Sequence, residues 1–325
     1  MQACVAHSPT SLSIDTVDIP VPSSNQVLVK LAISALNPVD FKMLPNLPHP
    51  YIPGIDGSGI IASVGEEASK QWSPGQRVFF HSDLKCKNGT FAEYCIVSAD
   101  ALIELPDDVA FDLGSLPCVA FTAIQAVNKT VTAASTHGLP AEPWALIVGL
   151  TSVVGHYCLK LLKHKGFKVA GSCREHKMSF CLGLGADLVI SSDDIESCKK
   201  SVPNGFQVII DFVNADSATK ASEFVAFGGA ICPVAGINLS GVDSSKLFLS
   251  GVSLLHVALG FVAYQSPFEF HRKELQLLGK ETIELFRSGV FDLNIGHVIS
   301  LREVPEYLDK LKSRDGVQGK IVVKF

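Results

Sequence analysis

The chain has 325 residues, is 47% hydrophobic and 18% charged, and carries a formal net charge of −5. That length gives room for two domains with cores of their own, and the apolar content excludes a disordered chain. Acids slightly outnumber bases and no run of Lys or Arg is long enough to mark a basic surface, so a nucleic-acid face or an anionic-membrane face is not expected.

The opening residues MQACVAHSPT contain no basic segment leading into an apolar run, so no secretory or transit leader is expected and the location expected is cytoplasmic. Residues 1 to about 120 read as short strands broken by Pro and Gly, at 27–33, 59–64, 77–80 and 91–97. Residues 128–143 are polar and rich in small side chains, which suggests a loop. From Trp144 the rhythm changes. Apolar runs at 144–148 and 167–173 alternate with helical patterns, and this βαβαβ alternation implies a parallel sheet covered by helices. Two further buried strands are expected at 206–212 and 229–234, helices at 273–288 and 304–312, and a closing strand at 320–325.

The stretch 247–264 approaches the length of a membrane helix, but His256 and its serines and glycines argue for a buried or subunit-facing segment. An exposed apolar run of that length makes a homodimer an expectation. The nine cysteines are odd in number, scattered and never spaced as CxxC, which fits a reducing compartment.

The chemistry-bearing segment is the turn that follows the strand at 144–148. Gly149-Leu150-Thr151-Ser152-Val153-Val154-Gly155 leads from that strand into an amphipathic helix. In a dinucleotide-binding turn, glycines allow a tight bend, a close backbone approach to pyrophosphate and close helix packing, and the helix N-terminus offers free N–H groups. Gly149 and Gly155 fill the outer roles. Ser152 stands at the middle position and brings a hydroxyl for a phosphate oxygen. The next strand ends Gly171-Ser172-Cys173-Arg174, with no Asp or Glu to hold a ribose 2′-hydroxyl. Ser172, Arg174 and Lys177 instead suit a 2′-phosphate, Arg174 through a forked pair of hydrogen bonds, so NADPH is the expected cofactor.

Several motifs together resemble the zinc-free quinone oxidoreductase branch of the medium-chain dehydrogenase/reductase superfamily, the ζ-crystallin-like enzymes. They are Asn37-Pro38-Val39-Asp40 with Lys42, residues 53–59 (PGIDGSG), Gly75-Gln76-Arg77-Val78, residues 89–94 (GTFAEY), Phe121-Thr122-Ala123, the turn at 149–155, and Gln318-Gly319-Lys320-Ile321-Val322. The resemblance spans nearly the whole chain. It implies an α/β fold: a GroES-like, β-rich catalytic domain from residues 1–120 and 266–325, and a doubly wound, parallel-sheet Rossmann domain from 121–265. It also implies that Ser192, Phe212, Val213 and Gly236 join the cofactor set.

Zinc-dependent members of that superfamily carry a Cys and a His in the stretches matching Asn37 and Ile55, and a structural zinc lobe needs clustered cysteines where this chain has Cys86 alone. No metal is therefore expected. Without a Lewis acid, reduction is easiest for an acceptor that is already electrophilic, a quinone or a conjugated enone or enal. By resemblance Asn37 lies beside the nicotinamide and the substrate, where its amide would donate to a developing enolate oxygen, and Thr122 touches the nicotinamide end. Read without the family, Asn37 is equally a turn residue before Pro38, and Thr122 a helix-terminal hydroxyl. Two other readings remain at this point. One is a 2-enoyl thioester reductase on the same fold, with Tyr51 as its tyrosine. The other is an NADPH-binding protein without catalysis or with affinity for RNA.

Overall fold

The computed structural model describes residues 1–235, 241–268, 270–313 and 317–325. The chain opens on an antiparallel pair, β1 (Gln2–Ser8) and β2 (Ser11–Thr16), and continues into the long strand β3 (Gln26–Leu36). The short helix α1 (Pro38–Met43) follows, started by Pro38, whose fixed φ suits a first helical position. Strands β4 (Asp56–Val64), β5 (Arg77–His81), β6 (Tyr94–Ser98) and β7 (Leu102–Glu104) come next. The strand expected at 91–97 starts late because Phe91 is used otherwise. Its N–H donates to Pro53 O at 2.9 Å and its carbonyl accepts from Cys4 N at 2.8 Å.

Helix α2 (Pro117–Ser135) extends into the segment expected as a loop, with Thr130 and Ala134, four positions apart, on its buried side. Ala134 is buried, and the buried Thr130 hydroxyl donates back to Ala126 O at 2.7 Å. Beyond it run β8 (Trp144–Val148), α3 (Val153–His164), β9 (Lys168–Cys173), α4 (Met178–Gly183), β10 (Leu188–Ser191), the single turn α5 (Cys198–Ser201), β11 (Phe206–Asp211), α6 (Ala215–Ser222) and β12 (Val225–Pro233). The apolar stretch at 247–264 is broken among α7 (Ser244–Leu249), β13 (Ser253–Leu254) and α8 (Leu259–Gln265). Helix α9 (Phe270–Arg287), β14 (Ile295–Ile299), α10 (Val304–Ser313) and β15 (Lys320–Lys324) close the chain.

The chain divides into two compact units. One comprises Met1–Phe121, Leu259–Arg287 and Asp292–Phe325, and the other Thr122–Ala258 with Ser288–Phe291. The first is GroES-like. Its seven-stranded sheet runs β14-β15-β3-β4-β5-β7, with β6 also paired to β3. Leu36, Phe91, Ile299, Val304, Leu308, Ile321 and Val323 make one of its cores, so strand β15 from the chain's end packs with strand β3 from its start.

The second unit is a Rossmann domain. Its six strands are all parallel, in the order β10-β9-β8-β11-β12-β13. This is the doubly wound order, in which the first strand lies centrally and the direction of winding reverses beside it. Strands covered on both faces must be apolar throughout, and Leu146, Val148, Ala170, Ile190, Phe206, Ile209 and Ile231 are all buried in one cluster. Burying a side chain such as Phe206 contributes about 1.5–3 kcal/mol.

Candidate functional site

In the Rossmann unit, β8 ends at Val148 and the chain turns at Gly149, whose φ of +82° is a left-handed conformation that side chains disfavour. A Cβ there would also stand 2.8 Å from Val213 Cγ2, so Val213 closes one side of the turn. Ser152 is the N-cap of α3, and its Oγ accepts from Gly155 N at 3.0 Å. The hydroxyl oxygen is thus committed to the helix, while its hydrogen can still be donated. The first two N–H groups of α3, those of Val153 and Val154, have no partner within a helix by construction, which makes the turn a fit for an anionic phosphate. Gly155 is closely packed, since a Cβ on it would lie 2.9 Å from Ser152 Oγ and 3.1 Å from Gly149 O. Thr151 is exposed beside them.

Strand β9 holds this turn from below. Leu150, fully buried, fills the space that Gly171 leaves, and its N–H donates to Ser172 O at 3.0 Å. Ser172 is itself buried, at 2% exposure, and its Oγ accepts from Gly149 N at 3.2 Å. Its role differs from the one its sequence position suggests: the hydroxyl is a strut under the phosphate turn, too buried to serve as a 2′-phosphate ligand. Arg174, one step past the strand, is exposed, Lys177 is half-buried, and among the described residues neither has an ion pair. Ser192 is exposed just after β10, with its N–H donated to Cys173 O at 2.8 Å.

At the end of β11, Asp211 fixes the Phe212-Val213 turn. Its Oδ1 accepts from Val213 N at 2.8 Å and Asn214 N at 3.2 Å, and its Oδ2 from Ser217 Oγ at 2.6 Å. Burial raises this carboxyl above its ordinary range. Gly236 lies outside the described residues. Thr122 is 9% exposed near the start of α2.

In the GroES-like unit, Asn37 stands at the start of α1 and is 1% exposed. Its amide nitrogen donates to Asp56 Oδ2 at 2.9 Å and Ala35 O at 3.2 Å, and its Oδ1 accepts from Lys320 Nζ at 2.7 Å. Both amide hydrogens are therefore used, and none is left for an enolate oxygen. The donor role expected of Asn37 is corrected to a structural one. Lys320 also donates to Leu36 O at 3.3 Å and lies 3.5 Å from Asp56 Oδ2, with both charged groups buried. Asp56 Oδ1 accepts from Cys118 N at 2.8 Å. Burial outweighs the attraction of Lys320 and pushes the Asp56 carboxyl up to about 6. Asp40, whose Oδ2 accepts from Asn37 N at 2.7 Å, is driven well above the carboxylate range by burial and by the charge of Asp56.

Tyr51 does not present a reactive hydroxyl. It is 2% exposed, its OH donates to Leu84 O at 2.6 Å, and burial raises its phenol far above the ordinary value. The catalytic role the sequence suggests for it is replaced by that of an anchor. Asp56 and Lys320 are the members of this knot to which the sequence assigned no role. Their signal was a lone charge in each of two otherwise apolar motifs, IDGSG and GKIVV.

The positions that would carry a catalytic zinc are the saturated amide of Asn37 and Ile55, a buried aliphatic side chain. Among the described residues no group of three or more His, Cys, Asp or Glu side chains could hold a metal ion. These residues do not fit zinc. All nine cysteines are free, and among the described residues no helix is long and apolar enough to cross a membrane.

A GroES-like unit and a Rossmann unit in one chain point to a dehydrogenase-class oxidoreductase with an NAD(P)-binding fold. Family models agree: residues 23–107 match the alcohol dehydrogenase GroES-like domain and residues 153–275 match the zinc-binding dehydrogenase family. The chain is 28% identical to a quinone oxidoreductase of Sus scrofa over 94% of its own length and 91% of the relative's. It is also 28% identical to a trans-enoyl reductase of Alternaria alternata, over 100% of its length and 98% of the relative's. In fold it is similar to a quinone oxidoreductase from Coxiella burnetii, with a TM-score of 0.79 and 22% identity over 100% of this chain and 99% of the other. A mycobacterial protein solved with NADPH gives a TM-score of 0.83 and 21% identity over 100% of both chains. The chain belongs to the medium-chain dehydrogenase/reductase superfamily, in its quinone-oxidoreductase-like branch.

Proposed function

We propose that the protein is an NADPH-dependent, zinc-independent reductase of quinones and conjugated enones or enals, working in the cytoplasm as a homodimer. The observation that carries the cofactor assignment is the end of β9, where Gly171, Ser172 and Cys173 carry no acid and where, on either side of Glu175, the exposed Arg174 and the half-buried Lys177 have no ion pair among the described residues. An Asp or Glu there would repel a 2′-phosphate, whereas Arg174 binds one through two parallel hydrogen bonds. Gly149, Thr151, Ser152, Val153, Val154 and Gly155 hold the pyrophosphate, Ser172 supports that turn, and Ser192, Phe212, Val213 and Gly236 complete the nucleotide site. Thr122 orients the nicotinamide end.

When bound, the cofactor supplies a hydride to the acceptor. The chain's residues bind and orient, and the balancing proton comes from water. Asn37 and Ile55 offer no zinc ligands, so a carbonyl cannot be polarised by a metal at that place, and acceptors that are already electrophilic fit best. The likeness to the pig quinone oxidoreductase supports the same acceptor class. Phe248 and Leu249, 82% and 78% exposed, support a subunit interface in the Rossmann unit.

Arg174→Ala with Lys177→Ala tests the cofactor assignment. The double variant is expected to lose about 10- to 100-fold in kcat/KM for NADPH while leaving NADH unchanged. An equal loss with both nucleotides overturns it. Reduction of a 2-enoyl thioester is the second reading, favoured by the whole-length likeness to the Alternaria enzyme. The engaged hydroxyl of Tyr51 counts against it. Turnover of crotonyl-CoA above that of 1,2-naphthoquinone would favour the thioester.

A further inference from the structure

Nine free thiols are spread through the chain. Cys86 and Cys118 are half-buried, and the other seven are buried. Three pairs of cysteines lie close enough for one thiol to act on the other: Cys158 with Cys232, Cys173 with Cys181, and Cys86 with Cys95. Both members of the first two pairs are buried, and Cys118 has Asp56, Lys320 and Asp40 around it rather than a thiol. Only Cys86 and Cys95 combine a thiol partly open to solvent with a second thiol behind it.

The two sulfurs meet over the same pair of carbonyls. Cys95 Sγ lies 3.4 Å from Asn88 O and 3.5 Å from Ile96 O, and Cys86 Sγ lies 3.9 Å from Asn88 O and 3.7 Å from Ile96 O. Two thiols that donate to one pair of acceptors stand beside each other. A disulfide tolerates little misfit, with Cβ atoms about 3.5–4.5 Å apart, so at least one partner must sit where the backbone can adjust. Cys95 is fixed, fully buried in β6 and paired with Val29 of β3. Cys86 is placed differently. It lies on the stretch 82–93 between β5 and β6, which holds no helix or strand beyond the single bridges of Asn88 to Ile52 and Ala92 to Ala3.

Burial raises both thiols, and the charge of Asp83 adds to this for Cys86. At neutral pH the pair therefore rests as two thiols and reacts slowly, through a small thiolate fraction. In a reducing compartment, which the cysteine pattern suggests, disulfides form transiently and in response to an oxidant. A partly open thiol with a second thiol next to it is the arrangement that such a response requires.

We propose that Cys86 and Cys95 are a redox modification site, at which a hydroperoxide converts the two thiols into a reversible disulfide. Cys86, the more open, reacts first. Its sulfur bonds to one peroxide oxygen, the O–O bond breaks, and the other oxygen leaves as water or an alcohol with the thiol proton, which gives a sulfenic acid. Cys95 Sγ then attacks that sulfur: the S–S bond forms, the S–O bond breaks, and water leaves with the Cys95 proton. The thiols lose two electrons and the hydroperoxide gains them. An external thiol reverses the bond by exchange. The disulfide ties to β6 the stretch that carries Leu84 O, the acceptor of the Tyr51 hydroxyl, and Lys85, the partner of Gln265. Nothing in the site uses a nucleotide or a carbonyl acceptor, so it stands apart from the reductase reading.

The test treats the folded, full-length protein with hydrogen peroxide, blocks the remaining thiols with iodoacetamide and maps the peptides by tandem mass spectrometry. A peptide linked through Cys86 and Cys95 is expected, absent after dithiothreitol, and Cys86 is expected to oxidise about tenfold faster than Cys158 or Cys232. Cys95→Ala should leave Cys86 as a sulfenic acid that dimedone captures, and Cys86→Ser should leave Cys95 a thiol. Thermal unfolding checks that each variant folds. If Cys95→Ala does not, the linked peptide in the wild type and its loss in Cys86→Ser decide. Oxidation of the folded protein without that link, or linkage of Cys86 to other cysteines to a like extent, overturns the proposal. So does a link that forms only above the unfolding temperature, or persistence of all nine thiols.

Discussion

The buried pair of Lys320 and Asp56 illustrates how a single residue from the chain's end fixes the geometry near its start. Lys320 donates to Asn37, and its charge offsets part of the cost of burying Asp56. Lys320→Met removes the cation and leaves a buried carboxylate, so urea unfolding should show a loss of about 3–5 kcal/mol. A loss below about 1 kcal/mol would contradict the buried ion pair. His81 gives a pH dependence of known sign. Its folded value near 4 lies below the ordinary 6.5, so neutral His81 contributes stability above pH 6.5 that is lost as the pH falls to 4. Asp40 and Asp56, raised by burial, act in the opposite direction on acidification. The comparison with His81→Phe isolates the histidine: the stability difference between wild type and variant should shift against the wild type between pH 7 and pH 5, and a flat difference would contradict its burial. Which residues matter was partly legible here. Asn37 could be picked out from its motif, but its saturation depends on Lys320, 283 positions away, and no local pattern reports such a partner.

Among the elements, the junction of β8, α3 and β9 is the one on which the proposed nucleotide binding rests. A methyl on Gly171 would stand 2.2 Å from Leu150 Cδ2 and 2.9 Å from Leu150 Cβ, and Leu150 is fully buried within the turn that follows β8. Gly171→Ala is therefore expected to cost about 1–3 kcal/mol in stability and to weaken nucleotide binding measured by fluorescence titration. Adding Leu150→Ala should restore part of the affinity, and unchanged binding in the single variant would contradict the strut. The turn itself was readable from glycine spacing and from the strand and helix that flank it. The role of Ser172 was not, because adjacent strand positions face opposite ways and only the register of β9 against β8 shows that this hydroxyl meets Gly149. The end of helix α2 is hidden for a related reason: only Thr130 and Ala134 of its last turns are buried, too few to give an apolar stripe among small and polar residues.

For the molecule as a whole, alternation of apolar strands and amphipathic helices was enough to anticipate the Rossmann unit, and the motif set anticipated the GroES-like unit. The hairpin of β1 and β2 is hidden from the sequence because its strands bear few of the β-branched runs that mark a buried strand. Two units of this kind, with Asn37 and Ile55 where zinc ligands would be, support the proposed reduction of electrophilic carbonyl acceptors by NADPH without a metal. The direct measurement is the rate of nucleotide oxidation with 1,2-naphthoquinone, using NADPH and NADH in parallel, with and without a strong chelator. The expected kcat/KM for NADPH is about 10- to 100-fold above that for NADH and is unchanged by the chelator. Preference for NADH, or loss of activity on chelation that added zinc restores, would contradict it.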